Sequence, residues 1–316
     1  MVKEVDANPE CSHIKIYLFT IAYFEWMKSC HSLNNCTNPR TTSFWINQHE
    51  ILDCSDCGHR YIVLNEDTKN HLSQIYSDAY FFDGKDGYPN YLEEKEILIN
   101  HGIRYAQLMS QYNVSGKILD VGCAAGFILK GFQMNGWDCS GVEPNKTMAE
   151  YGKREMQLNI EVGSLESFKS GEKYDLITLI QVIGHFYDID KALENIYSLL
   201  KPGGLVLVES WNRASFVAKL FGKSWHEYSP PSVIHWFTDD SLNDLFSVHN
   251  FKLVDKGFPK KQINLKHALS LVHSKTPKFS GKQKVFDFLS EKFGKLKVYY
   301  PPLDLKWYLF RKEAEL

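Results

Sequence analysis

"KILDVGCAAGFILKGF", residues 117–132, decides the fold. A short apolar run ends on Asp120, breaks at Gly122, Cys123, Ala124, Ala125 and Gly126, and apolar periodicity resumes through Phe127, Ile128, Leu129 and Phe132. A chain that leaves a buried strand through so many small residues lets a bound group approach its backbone closely. A second acid, Glu143, ends the next apolar run in "DCSGVEP". An acid at that place commonly accepts hydrogen bonds from two ribose hydroxyls. Together they point to a nucleoside-containing cofactor and leave open which one. The spacing D-x-G-x-A-x-G lacks the third glycine of the G-x-G-x-x-G dinucleotide fingerprint, which speaks against a nicotinamide-dependent oxidoreductase.

Outward from this turn, strands and helices alternate. "KILDVG", "DCSGVEP", "IEVGS", "YDLITLIQV" and "GGLVLVES" read as strands, with helices at "FILKGFQMNG", "NKTMAEYGKREM" and residues 189–200 between them. Such alternation predicts a parallel sheet covered by helices on both faces. After Glu209 the pattern is interrupted by "WNRASFVAKLFGKSWHEYSPPSVIHWF"; a helix at "DDSLNDLFSVHN" and a strand at "FKLVDKGF" follow. Residues 260–298, Lys-rich and amphipathic, read as a helical insertion before a closing strand, "LDLKWYLFRK". Residues 65–112 read as helical and aromatic-rich, a lid and linker; its Tyr76, Tyr80, Phe81 and Tyr88, with Trp225 and Trp236, suit either a substrate lid or a packed flap.

With 44% hydrophobic and 14% aromatic residues in 316, the chain fills a sizeable core. A formal net charge of -2 argues against indiscriminate nucleic-acid binding. Seven cysteines, an odd number, suit a reducing compartment, hence a cytoplasmic location. The early apolar run "IKIYLFTIAYF" is shorter than the roughly 20 residues of a membrane span, so residues 1–27 read as an extension. Within 28–64, Cys54 and Cys57 form a C-x-x-C knuckle closed by Gly58, with Cys30 and Cys36 upstream. Four thiolates would give a closed tetrahedral Zn2+ site, His31 being a substitute for one of them. The alternative is a loop held by packing alone.

The turn, Glu143, "GSLES" and "LLKPGGLVLVES", in this order and at these intervals, resemble class I S-adenosylmethionine-dependent methyltransferases across residues 113–258. The resemblance implies a doubly wound, Rossmann-like, seven-stranded and mostly parallel sheet within a domain spanning 113–316. It also implies roles. Asp120, Gly122, Cys123, Ala124 and Gly126 would surround the methionine moiety and ribose, and Glu143 would take the ribose hydroxyls. Pro144, Ser164 and Leu165 would meet the adenine, and Gln181 and Val182 would lie near the sulfonium. Three positions depart from the family pattern: Ala124 replaces a glycine, Gly184 a glutamate and Val233 a histidine. The cysteine knuckle, "YSDAYFFDGKDGY" and "YSPPSVIHWFTDDSL" resemble a subgroup with a zinc-ribbon-like leader, whose members often act on sugars, nucleotide-sugars and small metabolites.

Methyl transfer from a sulfonium is an in-line displacement governed by positioning and exclusion of water. A hydroxyl acceptor benefits from a base titrating near neutrality, and His185, His226 and His235 are the candidates, with Glu227 beside His226. His185 and His235 have structural alternatives, a turn cap and a loop tie; His226, among aromatic and charged neighbours, is the one least easily explained by core packing. The expectation is O-methylation of a small-molecule acceptor, with C- or N-methylation and a catalytically silent cofactor-binding scaffold as alternatives. "QVIGHF" stands where a base-flipping enzyme would carry its Asn-Pro-Pro-Tyr-type motif, so no nucleic-acid partner is expected. The sequence leaves the oligomeric state open.

Overall fold

The structure, a computed structural model, describes residues 41–62, 77–82, 91–264 and 297–314. Its strands are β1 (Thr41–Ile46), β2 (His49–Cys54), β3 (Arg60–Ile62), β4 (Lys117–Val121), β5 (Asp138–Glu143), β6 (Asn159–Val162) and β7 (Tyr174–Ile180). They continue as β8 (Leu200–Trp211), β9 (His235–Trp236), β10 (Phe251–Gly257), β11 (Gln262–Asn264), β12 (Lys297–Tyr299) and β13 (Leu305–Lys312). Seven of them form one sheet in the order β10-β13-β8-β7-β4-β5-β6. From β8 to β6 neighbours run parallel, and β13 lies antiparallel between β8 and β10.

Period-2 alternation in β8 explains why both faces are covered. Val206 and Val208 join one apolar cluster with Leu193 and Ile196 of the helix Ile189–Leu199 and Phe246 of the helix Asp239–Val248. Leu205 and Leu207 point the other way, into a cluster with Met109, Phe127 and Phe132. The strands and helices expected from 117 to 258 form, except that a short helical segment expected after "IEVGS" is a turn at residues 165–167. One detail differs: "LKPGG" is no separate turn but a bulged start of β8. Tyr174 pairs with Leu200 and Leu176 with Leu205, so Lys201–Gly204 bulge out, with Gly203 at φ 72°.

The leader and the insertion depart further from expectation. β1, β2 and β3 form an antiparallel meander whose last strand pairs with β9, inside the Pro-Pro segment. Of the region expected to be helical over 260–298, the described ends form an antiparallel ribbon, β11 with β12; the remainder lies outside the described residues. Trp225 and Trp236, read as lid candidates, are instead 1% exposed in a cluster with Ile51 and Ile62 of the leader sheet.

The helix Lys95–Ser110 reaches the sheet by lying against the helix Phe127–Gln133 at two glycines. A methyl group on Gly102 would stand 2.0 Å from the Ile128 carbonyl oxygen, and one on Gly131 2.4 Å from that of Ile99. Backbone at that distance cannot give way as a flexible side chain would. Gly102→Ala should therefore destabilise the fold by about 1–3 kcal/mol in urea unfolding, against the gain in helix propensity. A variant as stable as the parent would show that the two helices part freely.

Candidate active site

The carboxyl ends of β4, β5 and β7 open onto a cavity of about 760 Å³. This is where ligands sit in open parallel sheets. Asp120, Gly122, Cys123, Ala124, Glu143, Pro144, Ser164, Leu165, Gln181 and Val182, all expected at a cofactor, line it. Gly126 does not: it is the left-handed N-cap of the following helix, and a methyl group there would lie 2.5 Å from Leu158 Cδ1. Its place in the sequence pattern reflects packing beneath the turn.

The turn owes its shape to residues in left-handed conformation. Gly122 has φ 64° and Ala124, despite its side chain, φ 49°. For a non-glycine residue that conformation is worth about 1–2 kcal/mol of strain. Glu143 holds it in place. Its Oε2 accepts the Ala124 backbone N–H and its Oε1 that of Asn145, both at 2.8 Å. A carboxylate has about four acceptor positions, so two remain for a ligand. Burial pushes the Glu143 carboxyl up to about 7, with the two amides opposing. Asp120 is likewise pushed up to about 7 by burial, against the Thr178 hydroxyl, which donates to its Oδ1 at 2.6 Å.

Over the mouth, Tyr80 and Phe81 of the short helix Asp78–Phe82 form part of the wall. Asp78 fastens that helix by accepting from Asn145 Nδ2 at 3.1 Å and Thr147 Oγ1 at 3.0 Å. Tyr76 and Tyr88 lie outside the described residues.

The three candidate histidines are not brought together. His185 lines the cavity, but its Nδ1 donates to the Ser232 carbonyl at 2.6 Å and it also bonds the Gln181 backbone. His235 is 2% exposed and not on the cavity wall; its Nε2 donates to the Phe186 carbonyl at 3.0 Å, and its ring stacks 5.0 Å from His59. Burial pushes it down to about 4. His226 is also off the cavity wall, with Nδ1 4.0 Å from Asp304 Oδ2 and its ring edge-on to Trp211 at 4.6 Å. Its neighbour Glu227 is pushed up to about 8 by burial and then by the charge of Asp304.

Sequence reasoning missed a group on the cavity's other side. His101, on the wall, meets Glu209 Oε2 through Nε2 at 2.7 Å; Tyr105 donates to the same oxygen and Gln181 Nε2 to Oε1 at 2.6 Å. Burial alone would raise the Glu209 carboxyl, but His101, Lys261 and Tyr105 bring it down to about 2. The available signals were an acid inside the apolar run "LVLVES" and His101 and Tyr105 four apart on one helix face. Lys261, from the edge of the insertion, also reaches the wall.

Cys54 and Cys57 bracket the expected knuckle turn, in which Gly58 N–H donates to Cys54 O and Cys54 N–H to His59 O, both at 2.9 Å. Cys30 and Cys36 lie outside the described residues, and among the described residues no three metal-capable side chains gather. The zinc expectation therefore gains no support. No helix among the described residues is long and apolar enough to cross a membrane.

Residues 100–256 match a family model described as "Methyltransferase domain". Among curated proteins, a ubiquinone biosynthesis O-methyltransferase of Coxiella burnetii is 22% identical over 203 residues, covering 57% of this chain and 87% of that one. Its counterpart in Rickettsia prowazekii is 27% identical over 170 residues, covering 46% and 67%. Among solved structures, the 1,6-didemethyltoxoflavin-N1-methyltransferase of Burkholderia thailandensis, with bound S-adenosylhomocysteine, superposes with a TM-score of 0.51 at 14% identity, covering 86% and 99%. A Thermotoga maritima S-adenosylmethionine-dependent methyltransferase does so with a TM-score of 0.50 at 16% identity, covering 77% and 100%. These two show the fold. Residues 100–256 are thereby identified as a methyltransferase domain, carried on the fold of class I S-adenosylmethionine-dependent methyltransferases.

The raised carboxyls give a pH dependence. Between about 4.5, the ordinary glutamate value, and about 7, folded Glu143 holds a proton that the unfolded chain has released. Its contribution to stability is therefore full below about 4.5 and is lost as pH rises through about 7. Without cofactor, Glu143→Gln should gain on the parent between about pH 5 and pH 8 by about 1–3 kcal/mol in thermal unfolding. An unchanged gap would show that Glu143 is ionised without strain.

Proposed function

We propose that this methyltransferase carries a methyl group to a hydroxyl oxygen of a small polar molecule. The observation that carries the reading is one continuous cavity joining the small-residue turn to His101 and Gln181, the side chains that meet Glu209. The residues fit S-adenosylmethionine. Gly122 leaves a cradle that a side chain would fill, since its methyl group would stand 2.8 Å from Val182 Cγ2. Glu143 keeps two acceptor positions for the ribose hydroxyls, and Leu165, 1% exposed, offers an apolar face for the adenine beside Pro144 and Ser164. Asp120 and the Gly122–Ala124 backbone hold the methionine end.

When bound, S-adenosylmethionine supplies an electrophilic methyl group. Everything else falls to the chain. Ile180, Val182 and Phe186 keep water from the wall, while Gln181 and His101 present polar atoms to an acceptor. His185, tied to Ser232 and Gln181, shapes the wall rather than titrating: burial holds it below the ordinary histidine value. Transfer to oxygen is supported by the relatives named O-methyltransferases. Sugars, nucleotide-sugars and secondary-metabolite precursors suit the polar acceptor end.

Calorimetric titration tests the assignment. S-adenosylmethionine should bind and NAD should not. Glu143→Ala should weaken binding tenfold or more, since losing a charged hydrogen-bond acceptor costs about 1.5–3 kcal/mol. Full affinity in the variant would move the ribose elsewhere. Tritiated methyl transfer to catechol and to UDP-glucose then probes the two acceptor types.

A further inference from the structure

His101 is 2% exposed, yet it lines the cavity. Its Nε2 is engaged by Glu209, and its Nδ1 is buried without a hydrogen-bond partner among the described residues. A buried nitrogen left unsatisfied beside a ligand cavity costs about 1–3 kcal/mol unless a ligand or water meets it. Glu209 has a different character. It is 0% exposed, accepts from Tyr105 on the helix Lys95–Ser110 and from Gln181 just beyond β7, and meets His101 Nε2 at 2.7 Å. A carboxyl already held by Tyr105 and Gln181 stays ionised, and an ionised carboxylate accepts only. The proton between the pair must therefore sit on Nε2. That leaves Nδ1 as the one ring nitrogen able to take a proton.

We propose that His101 is the general base of the reaction, with Glu209 as the residue that fixes its tautomer and Tyr105 and Gln181 as the residues that position Glu209. This rests on the reading that the acceptor is a hydroxyl. The acceptor oxygen forms a bond to the methyl carbon as the carbon–sulfur bond breaks, and that electron pair stays on sulfur as a neutral thioether. The hydroxyl proton passes to His101 Nδ1, giving an imidazolium beside the Glu209 carboxylate. Charge balances: one cation, the sulfonium, is replaced by another, the imidazolium. A carboxylate already held by three donors needs no rearrangement to stabilise it.

The charged and titratable groups around the pair are few. Lys261, on the strand-leading edge of the insertion, bears on Glu209. Arg104, on the helix of His101, faces Tyr105, Tyr299 and Glu209, and Tyr105 completes the set. Neither cation lies within ion-pairing distance of Glu209 among the described residues, so His101 is the ring that would receive the proton beside it.

The test reads the proton directly. Protein labelled with 15N-histidine, as its S-adenosylhomocysteine complex, is followed by two-bond 1H–15N correlation from about pH 6 to about pH 9, across the histidine range. His101 signals are assigned by their loss in His101→Gln. The expected spectrum shows the Nε2-protonated tautomer wherever the ring is neutral. Glu209→Gln should lose that tautomer preference while still binding S-adenosylhomocysteine. In methyl transfer to catechol or UDP-glucose, His101→Gln should lower turnover by about 10²–10⁴-fold with cofactor affinity unchanged. A neutral ring protonated at Nδ1, a ring doubly protonated throughout, or a His101→Gln variant that turns over at the parental rate overturns the assignment. Parent protein that binds cofactor but methylates neither acceptor counts against the hydroxyl reading instead, so the two failures are told apart.

Discussion

One buried carboxylate organises the binding end of this protein. Glu143 takes backbone N–H groups from both sides, Ala124 in the turn after β4 and Asn145 at the start of the helix Lys146–Glu155. Without those two bonds the turn has little reason to keep Ala124 in a left-handed conformation, and Asn145 little reason to cap its helix at Met148 N–H. Glu143 also lines the cavity. A side chain that shapes the loop and also meets a ligand couples the two: whatever binds there finds the loop already set, at the expense of a carboxyl held far from its preferred ionisation.

A second buried carboxylate, Glu209, gathers its surroundings through side chains rather than backbone. It joins the helix Lys95–Ser110 to the exit of β7. That helix can approach only because Gly102 and Gly131 let it lie against its neighbour. Packing of two small residues thus sets where an imidazole stands with respect to the sheet.

Much of this was legible in the chain. The parallel core from Lys117 to Gly257 follows from apolar runs of strand length separated by amphipathic helices, and each turn carries its own signal: Gly126 at an N-cap, Asn145, Asp188 and Thr238 as capping side chains. The part of the cavity wall formed by the turn after β4 and the end of β5 was legible because its residues sit in local motifs. The side with His101 was not. His101, Glu209 and Lys261 come from three distant elements, and no local spacing links them; only burial reveals that an acid in an apolar strand has partners. His226 and His235 were misplaced for the opposite reason. A histidine among aromatic neighbours looks available in sequence, whereas in the fold those neighbours, Trp211, His59 and Phe237, enclose it. The ribbon of β11 and β12 eluded the Lys-rich helical pattern because its strands are three residues each.

The pairing of β3 with β9 has an implication for how the chain is made. Arg60 bonds Asp53 within the leader, yet its other partner, Tyr228, lies 168 positions further along. During synthesis β1–β3 emerge before β9, with an open strand edge and the apolar side chains Ile51 and Ile62 awaiting Trp225 and Trp236. Their docking surface does not exist until the whole parallel core has been translated. These strands therefore wait on partners far along the chain, and Arg60, paired with Asp53 in the folded protein, puts a charge beside that edge.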